Sequence, residues 1–159
     1  MTAFPPLAIA NAVLDEAERQ DRDLTIMQLL KLVYISHGWS LALLGAPLVN
    51  EEPEAWQHGP VFSSVYRAFR RYGSEPITAK ATNGFGQLVE AALSDKQLDV
   101  IKSVVSTYGR MHAFTLSNIT HQAGTPWSDI YRPGMSETIP DHVIADHYKK
   151  LARERQARV

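Results

Sequence analysis

The distribution of apolar residues along the chain predicts a mainly α-helical fold with one buried central helix. From Ile26 to Leu44, apolar side chains lie nearly all round the predicted helix, whereas a surface helix normally has a single apolar stripe. Thr25 and Gln28 match a capping box at its start, and Gly45 follows its end. We therefore expect this segment to form the centre of a compact helical bundle.

Other helical patterns lie on both sides of this segment and predict about six helices around the buried central helix. They begin at Pro6, at Pro60, after a capping box of Ser94 and Gln97, near Ala113, at Thr125-Pro126, and at Pro140. The helix after Ser94 is expected to turn Leu98, Ile101, Val105 and Tyr108 toward the core.

Proline and glycine interrupt the helical pattern at residues 46–60. Leu48-Val49 and residues 54–57 are expected to pair as a small two-stranded β-ribbon. Asn83-Gly84 and Gly86 predict a turn or mobile loop further along the chain.

Length and composition predict one soluble domain. The chain has 159 residues, of which 45% are hydrophobic and 21% are charged, and its formal net charge is −1. We expect a single domain over 1–159, with a core at about 8–148 and a basic C-terminal tail at 149–159 that includes Arg158. There is no signal-peptide pattern and no apolar stretch of membrane-spanning length, so we expect a cytoplasmic protein without a membrane partner.

The residues that most often carry catalysis do not form a recognisable site. Cysteine is absent, which excludes disulfides, thiolate nucleophiles and cysteine-ligated metals. The six histidines show no metal-binding spacing, and no nucleophile elbow or phosphate-binding glycine loop is present. We therefore predict no enzyme, with no catalytic, cofactor-binding or metal-binding residues.

Two groups of polar residues remain as candidates for binding. His58 precedes the helix predicted from Pro60, where its ring could bond free helix N–H groups, fix the ribbon or contact a ligand. Arg67, Arg70 and Arg71 share one face of that helix. With the basic tail, this face suits phosphates or an acidic partner, although an ordinary solvated helix face has the same pattern.

The order and spacing of several blocks resemble the Panacea antitoxin domain, a SocA-like, phage-associated family. The blocks are LTIMQLLKLVY at 24–34, HGWSLA with G-x-PL at 37–48, and EAWQHGPV with VY-x-x-F-x-x-YG at 54–73. Weaker similarities continue at Thr120-His121 and Pro126-Trp127. Gln28 replaces a common lysine of the family, and the family's variable region covers residues 79–92, to which nothing transfers.

The resemblance implies an antitoxin that neutralises its cognate toxin by direct protein binding, and for some members delivery of the toxin to an ATP-dependent protease. The expected partners are therefore a protein toxin and such a protease, with no cofactor. As toxin-contacting residues we predict Trp56, His58, Arg67, Arg70 and Arg71, although Trp56 suits a core position equally well. The alternative function is a nucleic-acid-binding regulator that uses the three arginines.

Overall fold

The computed structural model describes residues 1–157, so Arg158 of the predicted tail lies outside the described residues. The mainly α prediction is confirmed, with seven α-helices, one 3₁₀ turn and three short strands in these residues. The helices are α1 (Pro6–Arg19), α2 (Ile26–Leu43), α3 (Ser63–Phe69), α4 (Asp95–Tyr108), α5 (Ala113–His121), α6 (Pro126–Ile130) and α7 (Asp141–Ala157). The strands are β1 (Glu54–Trp56), β2 (Gly59–Val61) and β3 (Glu137–Thr138), and the 3₁₀ turn is Arg70–Tyr72.

Helix α2 lies at the centre of the bundle, as its apolar sequence predicts. Every residue from Leu29 to Leu41 is buried, and the helix contacts α1, α3, α4, α5 and α7. Both predicted capping boxes are present, so side chains of the first turn accept hydrogen bonds from backbone N–H groups at the N-termini of α2 and α4. Trp39 is 6% exposed, which confirms its predicted core position.

Close packing of α2 against α7 depends on Gly38. The ring of Tyr148, in α7, lies directly over this glycine, and a Cβ atom there would be 2.3 Å from Cε2 of Tyr148. Tyr34 and Trp39 contact the same ring edge-on, with centroid distances of 6.2 and 5.1 Å. Burial raises the pKa of the Tyr34 and Tyr148 hydroxyls, so both stay protonated at neutral pH.

His37 ties α2 to two other parts of the chain. Its ring is completely buried; Nδ1 accepts a hydrogen bond from the Val49 N–H at 3.1 Å, and Nε2 lies 2.7 Å from Oδ1 of Asp141. Because Nδ1 is an acceptor, Nε2 carries the proton and donates to the carboxylate. This histidine therefore fixes the start of α7 beside α2.

Three details of the sequence prediction are wrong. Residues 54–56 pair with 59–61 in a local hairpin and also with the distant strand β3, whereas Leu48-Val49 lies beside Phe4, more than forty residues earlier. Pro60 lies in β2 and not at a helix start; proline is tolerated there because β2 is an edge strand. Leu98 is 41% exposed, because Val100 and Val104 join Ile101 and Val105 on the buried face of α4.

Candidate protein-binding surface

A β-hairpin with a two-residue turn, Gln57-His58, packs against α2 and α5. Strands β1 and β2 pair with Trp56 opposite Gly59, so the two turn residues form the exposed tip. Gly59 has φ +123°, a backbone conformation that L side chains rarely adopt. Of the roles considered for His58, a bond to the N–H groups of a helix starting at Pro60 is therefore excluded, because His58 is followed by a strand.

Three side chains from three helices hold the backbone of this hairpin. Nε1 of Trp127 donates to the Trp56 carbonyl at 2.5 Å, and Oγ of Ser117 donates to the His58 carbonyl at 2.7 Å. Nζ of Lys31 donates to the Pro60 carbonyl at 3.1 Å. The carbonyls of residues 56, 58 and 60 are thus bonded to α6, α5 and α2, respectively. We call residues 56–60 with these three bonds the clamped hairpin.

Lys31 is the least expected member of this arrangement. Its side chain is 0% exposed, and burial lowers the pKa of its amine to about 7. A Cβ atom on Gly59 would lie 2.8 Å from Nζ of Lys31, so the glycine also makes room for the amine. The sequence signal is a single lysine in a mainly apolar helix, but nothing local indicates which carbonyl the amine meets.

Trp56 has one side in the fold and one side toward solvent. Its ring is half-buried and packs edge-on against Tyr66 of α3 at a centroid distance of 5.3 Å. Its Nε1 donates to Oε1 of Glu54 at 2.8 Å. The aromatic contact joins the clamped hairpin to α3, next to Arg67.

The three predicted arginines are all exposed. Arg67 belongs to α3, and Arg70 and Arg71 belong to the 3₁₀ turn that follows. Arg71 donates to the Ala68 carbonyl at 2.7 Å and lies over the ring of Tyr72, 4.9 Å from its centroid. Among residues 1–157, none of the three forms an ion pair with a carboxylate. All three charges therefore lie at the surface, and the guanidinium of Arg71 is held there by Ala68 and Tyr72.

Phe114 is an exposed aromatic residue that the sequence pattern did not distinguish from core positions. It is 76% exposed, whereas Leu116 on the same helix is completely buried. Phe114 lies three residues before Ser117, which bonds the hairpin tip, so both residues share one face of α5. In the sequence, only the three-residue spacing from Ser117 indicates that Phe114 shares a helix face with that serine. The spacing becomes informative once the structure shows that Ser117 bonds the hairpin.

The described cavities do not show a catalytic arrangement. A groove of about 450 Å³ between α2, α4 and α7 is lined mainly by apolar atoms, with Arg155 lying over Trp39 and bonded to the Tyr108 hydroxyl at 2.6 Å. Within residues 1–157 no cluster of three or more acidic or histidine side chains could hold a metal ion. In the same residues, no helix has the length and apolar character needed to cross a bilayer.

Comparison with known proteins places the chain in a family. Residues 29–128 match the family model described as antitoxin SocA-like, Panacea domain. The chain is also 35% identical over 152 residues to the antitoxin SocA of Caulobacter vibrioides (strain NA1000 / CB15N), covering 89% of this chain and 81% of that protein. No solved structure matches the chain significantly. The chain therefore belongs to the SocA-like antitoxin family that is defined by the Panacea domain.

Proposed function

We propose that this protein is an antitoxin that neutralises a cognate protein toxin by binding it directly. Membership of the SocA-like family supports a non-catalytic, regulatory role. The structural observation that supports direct binding is the clamped hairpin. Hydrogen bonds from three helices fix the backbone of its turn, while the two turn residues face solvent.

A rigid turn is well suited to protein recognition. A segment that is already ordered loses little conformational entropy when a partner binds, so more of the contact free energy appears as affinity. The hairpin presents His58 at its tip and the half-buried Trp56 at its base. Aromatic and arginine residues provide much of the binding energy in protein interfaces.

The positive charge on α3 and on the 3₁₀ turn that follows it indicates the kind of toxin surface that would bind there. Arg67, Arg70 and Arg71 carry three positive charges without carboxylate partners in the described residues. We propose that they face acidic side chains of the toxin, where they would accelerate association and fix the orientation of the complex.

Growth rescue tests the proposed function. The protein encoded beside this chain is expressed alone and together with it; we expect growth arrest alone and rescue on co-expression, with both proteins recovered in one complex. If the neighbouring protein is harmless alone, or rescue occurs without a complex, the proposal of direct neutralisation is wrong.

Charge-reversal variants test the proposed surface. Arg67→Glu combined with Arg70→Glu should weaken binding at least tenfold, because repulsion replaces attraction at an acidic toxin surface. Lys149→Glu combined with Lys150→Glu makes the same charge change on exposed positions of α7 and should leave affinity within about threefold. If the two double variants weaken binding equally, only the net charge of the protein matters, and the assignment of the arginines to the binding surface is refuted.

We extend the proposal to delivery of the bound toxin to an ATP-dependent protease, the adaptor role that the family resemblance implies. The measurement is the half-life of the toxin in cells after synthesis is stopped. It should fall when this protein is co-expressed and recover when the protease is deleted. An unchanged half-life, with growth still rescued, would mean that binding alone neutralises the toxin.

A nucleic-acid-binding regulator is the second candidate, and the three unpaired, exposed arginines favour it. Such binding would weaken steeply as salt concentration rises, because phosphate contacts release counterions. A gel shift at low salt with duplex DNA and with single-stranded RNA checks this candidate, and the absence of any retarded band would exclude it.

We also infer that the core at residues 8–148 acts as one domain, since α2 packs against α1 from one end of the chain and α7 from the other. Residues 149–157 of the basic tail continue α7. Limited proteolysis should therefore produce no stable fragment that ends inside the core, and a cut that leaves two folded halves would contradict this.

A further inference from the structure

Residues 81–89 form a narrow ribbon on the outside of α1. Thr82 and Leu88 make an antiparallel bridge, the Asn83 N–H donates to the Gln87 carbonyl at 2.7 Å, and the Val89 N–H donates to the Ala81 carbonyl at 3.2 Å. The segment predicted as a turn or mobile loop is therefore a hydrogen-bonded structure. We call it the Phe85 ribbon, after the residue at its tip.

A buried asparagine fixes the base of the ribbon to the bundle. Asn11 of α1 is 4% exposed, and its Nδ2 donates to the carbonyls of Ala81 and Val89, both at 2.9 Å. Its Oδ1 accepts from the Ala81 N–H at 2.8 Å. One side chain thus binds both strands of the ribbon at their ends.

A second asparagine orders the tip. Oδ1 of Asn83 accepts from the N–H groups of Phe85 at 2.8 Å and Gln87 at 3.1 Å, and the Asn83 carbonyl accepts from the Gly86 N–H at 3.1 Å. The tip is therefore held in one conformation although it lies in solvent. The side chain that it presents, Phe85, is 91% exposed.

Two exposed leucines lie in a mixed polar and apolar cleft beside the base of the ribbon. Leu88 is 47% exposed and Leu98 is 41% exposed, and both line one cleft of about 340 Å³ between the ribbon, α1 and α4. Scattered apolar side chains on a surface need no explanation. Here, however, a hydrogen-bonded turn presents Phe85, the most exposed large hydrophobic side chain among residues 1–157.

We propose that Phe85 is an anchor residue that inserts into an apolar pocket on the surface of the toxin. This inference rests on the proposed function and adds a second contact to the one at the clamped hairpin. A projecting phenyl ring requires a concave, apolar partner, and the ordered ribbon removes the entropic penalty of fixing the anchor on binding.

The charges around the ribbon favour a protein pocket over a membrane. Residues 83–87 carry no charge. Among the charged side chains that line the adjoining cleft, Lys80 is paired with Asp15 and Arg19 is paired with Glu16. Glu90, in the same cleft, is acidic and would repel an anionic lipid surface. Insertion of a single aromatic residue into an anionic lipid surface normally relies on neighbouring free lysine and arginine residues. The ribbon lacks that attraction.

Titration calorimetry with the purified toxin tests the proposal. Phe85→Ala should weaken binding about tenfold or more without changing the thermal midpoint, because the ring makes no contact that the fold needs. Phe85→Leu should recover part of the affinity. Leu43→Ala, which shortens a 61% exposed side chain at the end of α2, is the matched control and should stay within about threefold.

The outcomes separate this inference from the proposed function. If the wild-type protein does not bind the toxin, the proposed function fails. If wild type binds and Phe85→Ala binds within threefold of it, or if Leu43→Ala is weakened equally, the anchor assignment fails and the proposed function stands. Phe85-dependent self-association, or Phe85-dependent binding to vesicles of phosphatidylserine and phosphatidylcholine, would also overturn the assignment.

Discussion

Replacing Gly38 by alanine tests the central packing of the fold most sharply. The new Cβ atom would lie 2.3, 2.5 and 2.8 Å from three carbon atoms of the Tyr148 ring. Real Cβ atoms essentially never come within 3.0 Å of a non-bonded heavy atom, so either the ring or one of the two helices must move. The ring has little room to yield, because Tyr148 is 4% exposed and is contacted by Tyr34 and Trp39.

Two opposing effects set the magnitude. Alanine in place of glycine inside a helix normally stabilises by about 1 kcal/mol. Overpacking a core typically costs about 1–3 kcal/mol, and contact with three ring atoms puts this site at about 3 kcal/mol. We therefore expect Gly38→Ala to lower the free energy of unfolding by about 2 kcal/mol, which corresponds to roughly 4–8 °C in Tm for a domain of this size.

Urea unfolding followed by circular dichroism measures this change, with Gly84→Ala as the control. Gly84 has open space around its Cβ position and a φ that alanine accepts, so its substitution should change stability by less than about 0.5 kcal/mol. In a Tyr148→Leu background, Gly38→Ala should lose its penalty. A stabilised Gly38→Ala protein, or an effect unchanged in the Tyr148→Leu background, would refute the proposed packing of α2 on α7.

Three further outcomes are expected. The amine of Lys31 has a pKa of about 7 in the folded protein and about 10.4 when unfolded, so between these values the folded state binds fewer protons than the unfolded state. The free energy of unfolding should therefore rise with pH across this interval, by up to about 1.4 kcal/mol per pH unit. Urea titrations of wild type and Lys31→Met from pH 7 to 9.5 should show this extra slope only in wild type, and parallel curves would contradict a buried amine. Trp39→Ala should lower the free energy of unfolding by about 3–5 kcal/mol, measured by denaturant titration, because it removes a large buried aromatic; a loss below 1 kcal/mol would place Trp39 at the surface. Arg70→Ala should change stability by less than about 0.5 kcal/mol in the same assay, and a loss of 2 kcal/mol would mean that this exposed arginine supports the fold.

Local signals in the sequence were sufficient for most helices. The capping boxes at Thr25 and Ser94 are complete within four residues, so they form whatever surrounds them. The all-round apolar character of α2 is compatible only with burial, and burial is what the structure shows. Which residues of α4 face the core is harder to predict. One turn holds both Leu98 and Val100, and only the position of α1 and α2 decides which of them is buried.

Contacts between distant residues could not be predicted from the same signals. Pro60 suits a helix start by its fixed φ, but the neighbouring Gly59 and the pairing with β1 make it part of an edge strand. The partner of Leu48-Val49 is Phe4, more than forty residues earlier. Each choice depends on where the bundle places the segment, which local propensity does not encode.

Residue type and spacing indicate which side chains are candidates for binding, but not how distant segments hold them. The spacing of the three arginines opposite Phe62, Val65 and Phe69 predicts their exposure, although only Arg67 lies in α3 and the other two lie in the 3₁₀ turn. The three bonds that hold the hairpin come from Lys31, Ser117 and Trp127, which are spread over almost a hundred residues of sequence. The Asn11 contact that orders the Phe85 ribbon likewise spans about seventy residues.

Hydrogen–deuterium exchange of this protein, alone and in complex with its toxin, tests the central claim most directly. The account predicts slower exchange on binding at residues 56–58, along 63–72 and at the tip of the Phe85 ribbon, while α2 is already protected in the free protein and does not change. Protection confined to the groove between α4 and α7, or a complex that leaves 56–72 unchanged, would contradict it.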